Sequence, residues 1–177
     1  MKRTILSVFI MTTLVMISCT SNADKKSKEV NDSNEQQSEI KRQAINPDND
    51  WGAGFEMNQA EIISGFSEII KFSGQTSLVP DTSAEMGLGV KYPGDQRKQM
   101  EFILNSIDNL LEQAGMERKN IIHVNFYTTE MEGFLENYDV YSNWIKMANI
   151  RPTQSAIGVN QLVSPEMKLE IEVTGAR

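Results

Sequence analysis

The sequence predicts an α+β fold: one mixed β-sheet with two helices packed on one of its faces. Three observations carry that expectation. Apolar residues at Met100, Ile103, Leu104, Ile107, Leu110, Leu111 and Ala114 recur at the spacing of an amphipathic helix. Near the end of the chain, Leu169, Ile171 and Val173 alternate with Lys168, Glu170 and Glu172, the mark of a strand with one buried face. The apolar runs and turn signals fall in the order ββ–loop–α–β–α–ββ, so each helix can lay its single apolar stripe on the same sheet.

Taken in order, residues 57–63 (MNQAEII) make a first strand that ends at Ser64-Gly65, and the β-rich stretch 68–73 stops at Gly74. Residues 78–94 hold Pro80, Asp81, Gly87, Gly89, Pro93 and Gly94 and read as a long irregular loop. The helix over 95–115 is capped by Asp95 and closed by Gly115. Residues 121–129 (IIHVNFYTT) are β-branched and aromatic, a strand. A second helix spans 132–148 with Phe134, Tyr138, Tyr141, Ile145 and Ala148 on one stripe, and Pro152 ends it. Strands at 155–160 and 168–174 complete the sheet. Two one-sided helices leave the other sheet face bare, to be wetted or covered by another subunit.

The amino-terminal segment, residues 1–47, is not part of this fold. Cys19 is the only cysteine among 177 residues, so it closes no disulfide within the chain. Its flanks explain it. Lys2 and Arg3 precede an apolar run over Thr4 to Ile17, long enough for a secretory signal and too short for a bilayer span. Ser18-Cys19 after that run resembles a bacterial lipobox, with Met16 where leucine is more usual. The expectation is a signal peptide over 1–18 and lipidation of Cys19. Several acyl chains would then hold the protein on a membrane of the bacterial cell envelope, on the periplasmic or outer-membrane side. Residues 20–46 are rich in Ser, Asn, Gln, Lys and Glu, with almost nothing to bury, so 19–47 reads as lipidated cysteine and disordered tether. Such a tether reaches about 30 Å. The folded unit is expected over 48–177.

Charge excludes one class of partner. The chain has 17 Lys+Arg against 24 Asp+Glu, and removing 1–18 takes away Lys2 and Arg3, leaving 15 − 24 = −9. A net acidic domain repels phosphate backbones, so nucleic acid is not an expected partner. One histidine and one cysteine give no metal-ligand set, and neither a metal nor a cofactor is expected.

Four stretches, in order and spacing, resemble the reactive-intermediate deaminase (Rid, YjgF-like, endoribonuclease L-PSP-like) family: MNQA at 57–60, IIKFSGQTSL at 69–78, NIIHVNFYTTEMEGF at 120–134 and KLEIEV at 168–173. The resemblance covers about residues 45–175. It implies a chorismate-mutase-like fold and a homotrimer whose sheets meet in a central barrel. It also implies a small-ligand cleft between each pair of subunits, and for the best-known members the hydrolysis of 2-imino acids to 2-keto acids and ammonia.

The resemblance also places site residues. Ser73 and Gly74 match the strand-end SG that lines the cleft. Glu170 matches the carboxylate that contacts the catalytic water, and is the one catalytic candidate. In deaminating members the stretch matching RPTQSAIGV (151–159) resembles P-x-R-S, whose arginine pairs with the substrate carboxylate. Here that position is Gln154, followed by Ser155. A guanidinium grips a carboxylate through two parallel charge-assisted hydrogen bonds, and a neutral amide does not. Met57 stands in place of a family tyrosine and Tyr138 in place of a helix asparagine. The cleft is thus expected to persist as a pocket re-lined with neutral and apolar groups. Gly74, Ser73, Tyr138, Gln154 and Ser155 are its expected ligand contacts. Arg151 and Arg97 are the candidates to replace the missing cation, and His123, inside a strand, reads as a packed or solvated neighbour rather than a catalyst.

Three functions compete. The first is a surface-tethered binding protein for a neutral or weakly polar metabolite, favoured by Gln154, by Tyr138 and by an exported location away from the pyridoxal enzymes that release imines. The second is an enamine/imine deaminase using Glu170. The third, a ribonuclease, lacks the charge and a paired-histidine arrangement.

Overall fold

The structure, a computed structural model, describes residues 40–177. The expected signal peptide, Cys19 and the tether as far as residue 39 lie outside the described residues.

The folded chain starts earlier than expected. Lys41–Ile45 is a strand, β1, inside the stretch assigned to the tether, and it pairs antiparallel with β2 (Ala60–Ser64). Composition alone hides it: the strand is mostly exposed, and side-chain chemistry holds it. Arg42 donates to Glu61 across the pair at 3.0 Å, and its other nitrogen reaches the Lys119 and Ile121 carbonyls. A short 3-10 turn, Trp51–Phe55, lies between the two strands.

The main sheet has four strands in the order β3–β8–β6–β7: β3 (Ile69–Lys71), β6 (Ile121–Thr128), β7 (Thr153–Gly158) and β8 (Leu169–Ala176). β7 runs parallel to β6, and the other pairs are antiparallel, so this sheet is mixed as predicted, but it is not the single sheet expected: β2, read as its first strand, pairs instead with β1 in a separate two-stranded sheet. The expected loop at 78–94 is in part a hairpin, β4 (Leu78–Pro80) with β5 (Leu88–Val90). Three-residue strands holding Pro80 and Gly89 carry too little β signal to be read as such.

Helix α1 (Gln96–Gln113) begins where Asp95 accepts a hydrogen bond from the Lys98 amide, and ends before Gly115 at φ 65°. Its stripe from Met100 to Leu111 is buried against the sheet. The second predicted helix is two: α2 (Met131–Glu136) and α3 (Tyr138–Lys146). Asn137 separates them, and its amide returns to the Gly133 carbonyl at 2.8 Å. All the helices pack on one sheet face, against Val124, Phe126, Leu169, Ile171 and Val173. The opposite face carries His123, Asn125 and Tyr127 of β6 beside Glu170, Glu172 and Thr174 of β8.

Candidate functional site

Strand alternation sorts the predicted site residues onto two sheet faces. Gln154 lies beside Val124, whose side chain is buried under the helices, so Gln154 points to the helix side. Ser155, one residue on, lies beside Asn125 on the open face. Glu170 is paired with Tyr127 and also belongs to the open face. Within one chain, then, Gln154 and Tyr138 come together, Gly74 and Glu170 come together, and the two pairs do not meet.

The helix-side half is a pocket of about 210 Å³. Its walls are rings and aliphatic groups: Trp51 and Phe55 from the 3-10 turn, Phe126 from β6, Phe134 and Leu135 from α2, and Tyr138 from α3, with Met57 and Ala156 between them. The rings form a connected set, Phe55 meeting Tyr138 edge-on at 5.8 Å between centroids and Phe134 meeting Tyr138 at 5.6 Å. Trp51 is 54% exposed and Phe55 42%.

The polar groups of this half bond to the chain itself. Tyr138 donates its hydroxyl proton to the Phe55 carbonyl at 2.7 Å. Gln154 Nε2 donates to the Tyr138 hydroxyl oxygen at 2.8 Å and also to the Phe55 carbonyl. Burial pushes the Tyr138 hydroxyl pKa above that of an ordinary phenol, so it stays protonated and able to donate at neutral pH. No charged side chain lines the pocket. The two arginines considered as replacements are committed elsewhere. Arg151 grips both oxygens of Asp50 at 2.9 and 2.8 Å and donates to the Met57 carbonyl, which pins the 3-10 turn over the pocket. Arg97 forms a two-point pair with Asp139 at 2.8 and 2.9 Å.

On the open face, Glu170 lies against Gly74. A Cβ added to Gly74 would come 1.7 Å from a Glu170 carboxylate oxygen, so only glycine leaves room for this approach without moving the glutamate. Partial burial, and secondarily the charge of Glu172, hold the Glu170 pKa above its ordinary value. Ser73 is exposed at the same strand end; its carbonyl accepts from the Gln75 amide at 2.8 Å. His123 bonds through both ring nitrogens, to Thr153 at 2.8 Å and to Asn125 at 3.0 Å. Tyr127 donates to Glu172 at 2.9 Å. His123 is therefore one member of a polar row across the face.

Trp51, Phe55 and the Asp50–Arg151 clamp were not singled out from the sequence. The sequence places Trp51 and Phe55 in a Gly-rich turn, and long-range bonds bring that turn to the pocket: Asp50 with Arg151, and the Phe55 carbonyl with Tyr138 and Gln154. A larger surface groove of about 620 Å³ runs between the ends of α1 and α3, but its rim is charged and self-paired, with Arg118 bonded to Asp108 at 2.6 Å.

Comparison with known proteins places this geometry among relatives. The family model described as Endoribonuclease L-PSP matches residues 58–176. A RutC family protein from Aquifex aeolicus is 30% identical over 115 residues, covering 64% of this chain and 84% of the relative. The crystal structure of Escherichia coli TdcF with bound serine is 26% identical with a TM-score of 0.52, covering 64% of this chain and 82% of that one. A Rid-family protein of unknown function from Yersinia pestis, YyfB, shares the fold at a TM-score of 0.62 and 20% identity, over 77% of this chain and 98% of that one.

Proposed function

The chain belongs to the Endoribonuclease L-PSP family, and on that premise we propose that it binds a small neutral metabolite in clefts between the subunits of a homotrimer, with little or no imine deamination. The observation that carries this reading is the state of Gln154. Its two N–H groups meet the Phe55 carbonyl and the Tyr138 hydroxyl, and no charged group lines the pocket beside it. A carboxylate needs donors, ideally a guanidinium, and here the donors are spent. The trimer completes the cleft: the ring-lined half of one subunit faces the Gly74–Glu170 half of the next. It also covers the polar sheet face that the helices leave bare. That TdcF holds serine supports a small-molecule cleft in this family.

A second reading, an enamine/imine hydrolase, rests on Glu170, whose raised pKa suits a carboxyl group that holds and passes a proton. The two are separated by measuring 2-iminobutanoate hydrolysis, with the spontaneous rate subtracted, on wild type and Gln154→Arg. The binding reading predicts wild-type turnover near background and carboxylate binding gained in Gln154→Arg. Wild-type turnover matching that of an arginine-bearing relative would reverse the ranking.

The protein's place in this reading is the bacterial cell envelope, anchored through lipid on Cys19 at the end of its tether. Cys19→Ala should then leave the membrane fraction or accumulate unprocessed. A matured Cys19→Ala protein that still sediments with membranes would refute the anchor.

A further inference from the structure

Resting on that binding reading, we infer that the ligand of the helix-side pocket is a planar, neutral aromatic molecule of one or two fused rings without a carboxylate. Size sets the first limit. An apolar cavity of about 150 Å³ accommodates benzene, and this one, at about 210 Å³, has room for a second fused ring. Wall chemistry sets the second. Trp51, Phe55, Phe134 and Tyr138 present ring faces and edges at mutual angles, which a flat ring meets by stacking and edge contacts on several sides. Donor supply sets the third. The Tyr138 O–H and both Gln154 N–H groups are already bonded to the Phe55 carbonyl or to each other, so an incoming anion would break those bonds or enter without partners. The Arg151 and Arg97 guanidiniums are closed on Asp50 and Asp139, and opening either would leave a carboxylate without its ion-pair partner.

The turn that closes the pocket is itself part of the recognition. Phe55 supplies both a ring to the wall and the carbonyl that occupies the donors, and Asp50 is held by Arg151 on the strand side. Gln154 therefore acts as a positioning residue for Phe55 and Tyr138, and selectivity against anions follows from the same bonds.

The test is calorimetric titration of the full chain with indole, with indole-3-acetate and with the neutral, non-aromatic butanamide, repeated on Trp51→Ala and Ala156→Phe. Trp51 and Ala156 are both exposed, so both variants should fold, and melting temperatures close to wild type verify that they do. Trp51→Ala removes a wall and Ala156→Phe fills the space. The expected result is indole binding at least about tenfold tighter than indole-3-acetate, weakened at least about tenfold in both variants. Binding of butanamide that both variants abolish, with none of indole, would overturn the aromatic class and leave the binding reading standing. Binding of no probe, or binding indifferent to both variants, would overturn both.

Discussion

Glu170 lays its carboxylate over the Cα of Gly74, on a sheet face it shares with Glu172, and its raised pKa has a consequence for stability. Below the ordinary value of 4.5 the folded and unfolded chains both hold the proton, and the group costs nothing. As pH rises through the elevated folded value, ionisation favours the unfolded chain. Glu170→Gln should therefore melt higher than wild type at pH 7, with the gap closing as pH falls below 4.5. A Glu170→Gln protein less stable than wild type at pH 7 would mean that a partner holds the ionised form. At this scale the family resemblance brought out Glu170, Gly74, Tyr138 and Gln154, because each sits in a recognisable motif. It did not bring out Gln99, which is fully buried and bonds the Tyr92 and Glu166 carbonyls and the Lys168 amide. A glutamine one residue before an apolar stripe reads as surface, and only the loops that fold over it reverse that.

Among the elements, the Trp51–Phe55 turn depends most on a single side chain. Arg151, just before β7, bonds both oxygens of Asp50 and the carbonyl of Met57, which joins the turn to the sheet. Arg151→Ala should cost roughly 1–2 kcal/mol, since charge-assisted bonds are lost from a half-buried site. That lowers the melting temperature by about 3–7 °C in a folded unit of this size. Trp51 emission should shift to the red as the turn loosens. Unchanged melting and emission would show that its rings and the bonds from Tyr138 and Gln154 to the Phe55 carbonyl hold the turn without Arg151. The long elements were legible: α1 and β8 bury their faces in the predicted periods, and β6 matches its β-branched run. The short ones were not. β1 lies in a polar stretch and is held by Arg42, β4 and β5 are three residues each, and the break at Asn137 falls inside a continuous apolar stripe. Periodicity reports burial, and these elements are fixed by side-chain bonds and turns instead.

In the whole molecule, the candidate site is divided between two faces of one sheet. Ring walls, Tyr138 and Gln154 lie under the helices, while Gly74 and Glu170 lie on the open face beside the row from His123 to Glu172. No rearrangement within a chain brings the two together without turning a strand over, because a one-residue slip would expose the apolar set of β8. On the proposed reading, a second copy completes the cleft. The most direct measurement is cross-linking of two single-cysteine proteins in a Cys19→Ser background, one carrying Ser73→Cys on the open-face half and the other Leu135→Cys at the pocket rim. The two are mixed as coexpressed subunits and treated with a short bismaleimide. An intersubunit cleft predicts a covalent heterodimer on a denaturing gel and a trimer by sedimentation. Monomers alone in both measurements would contradict it.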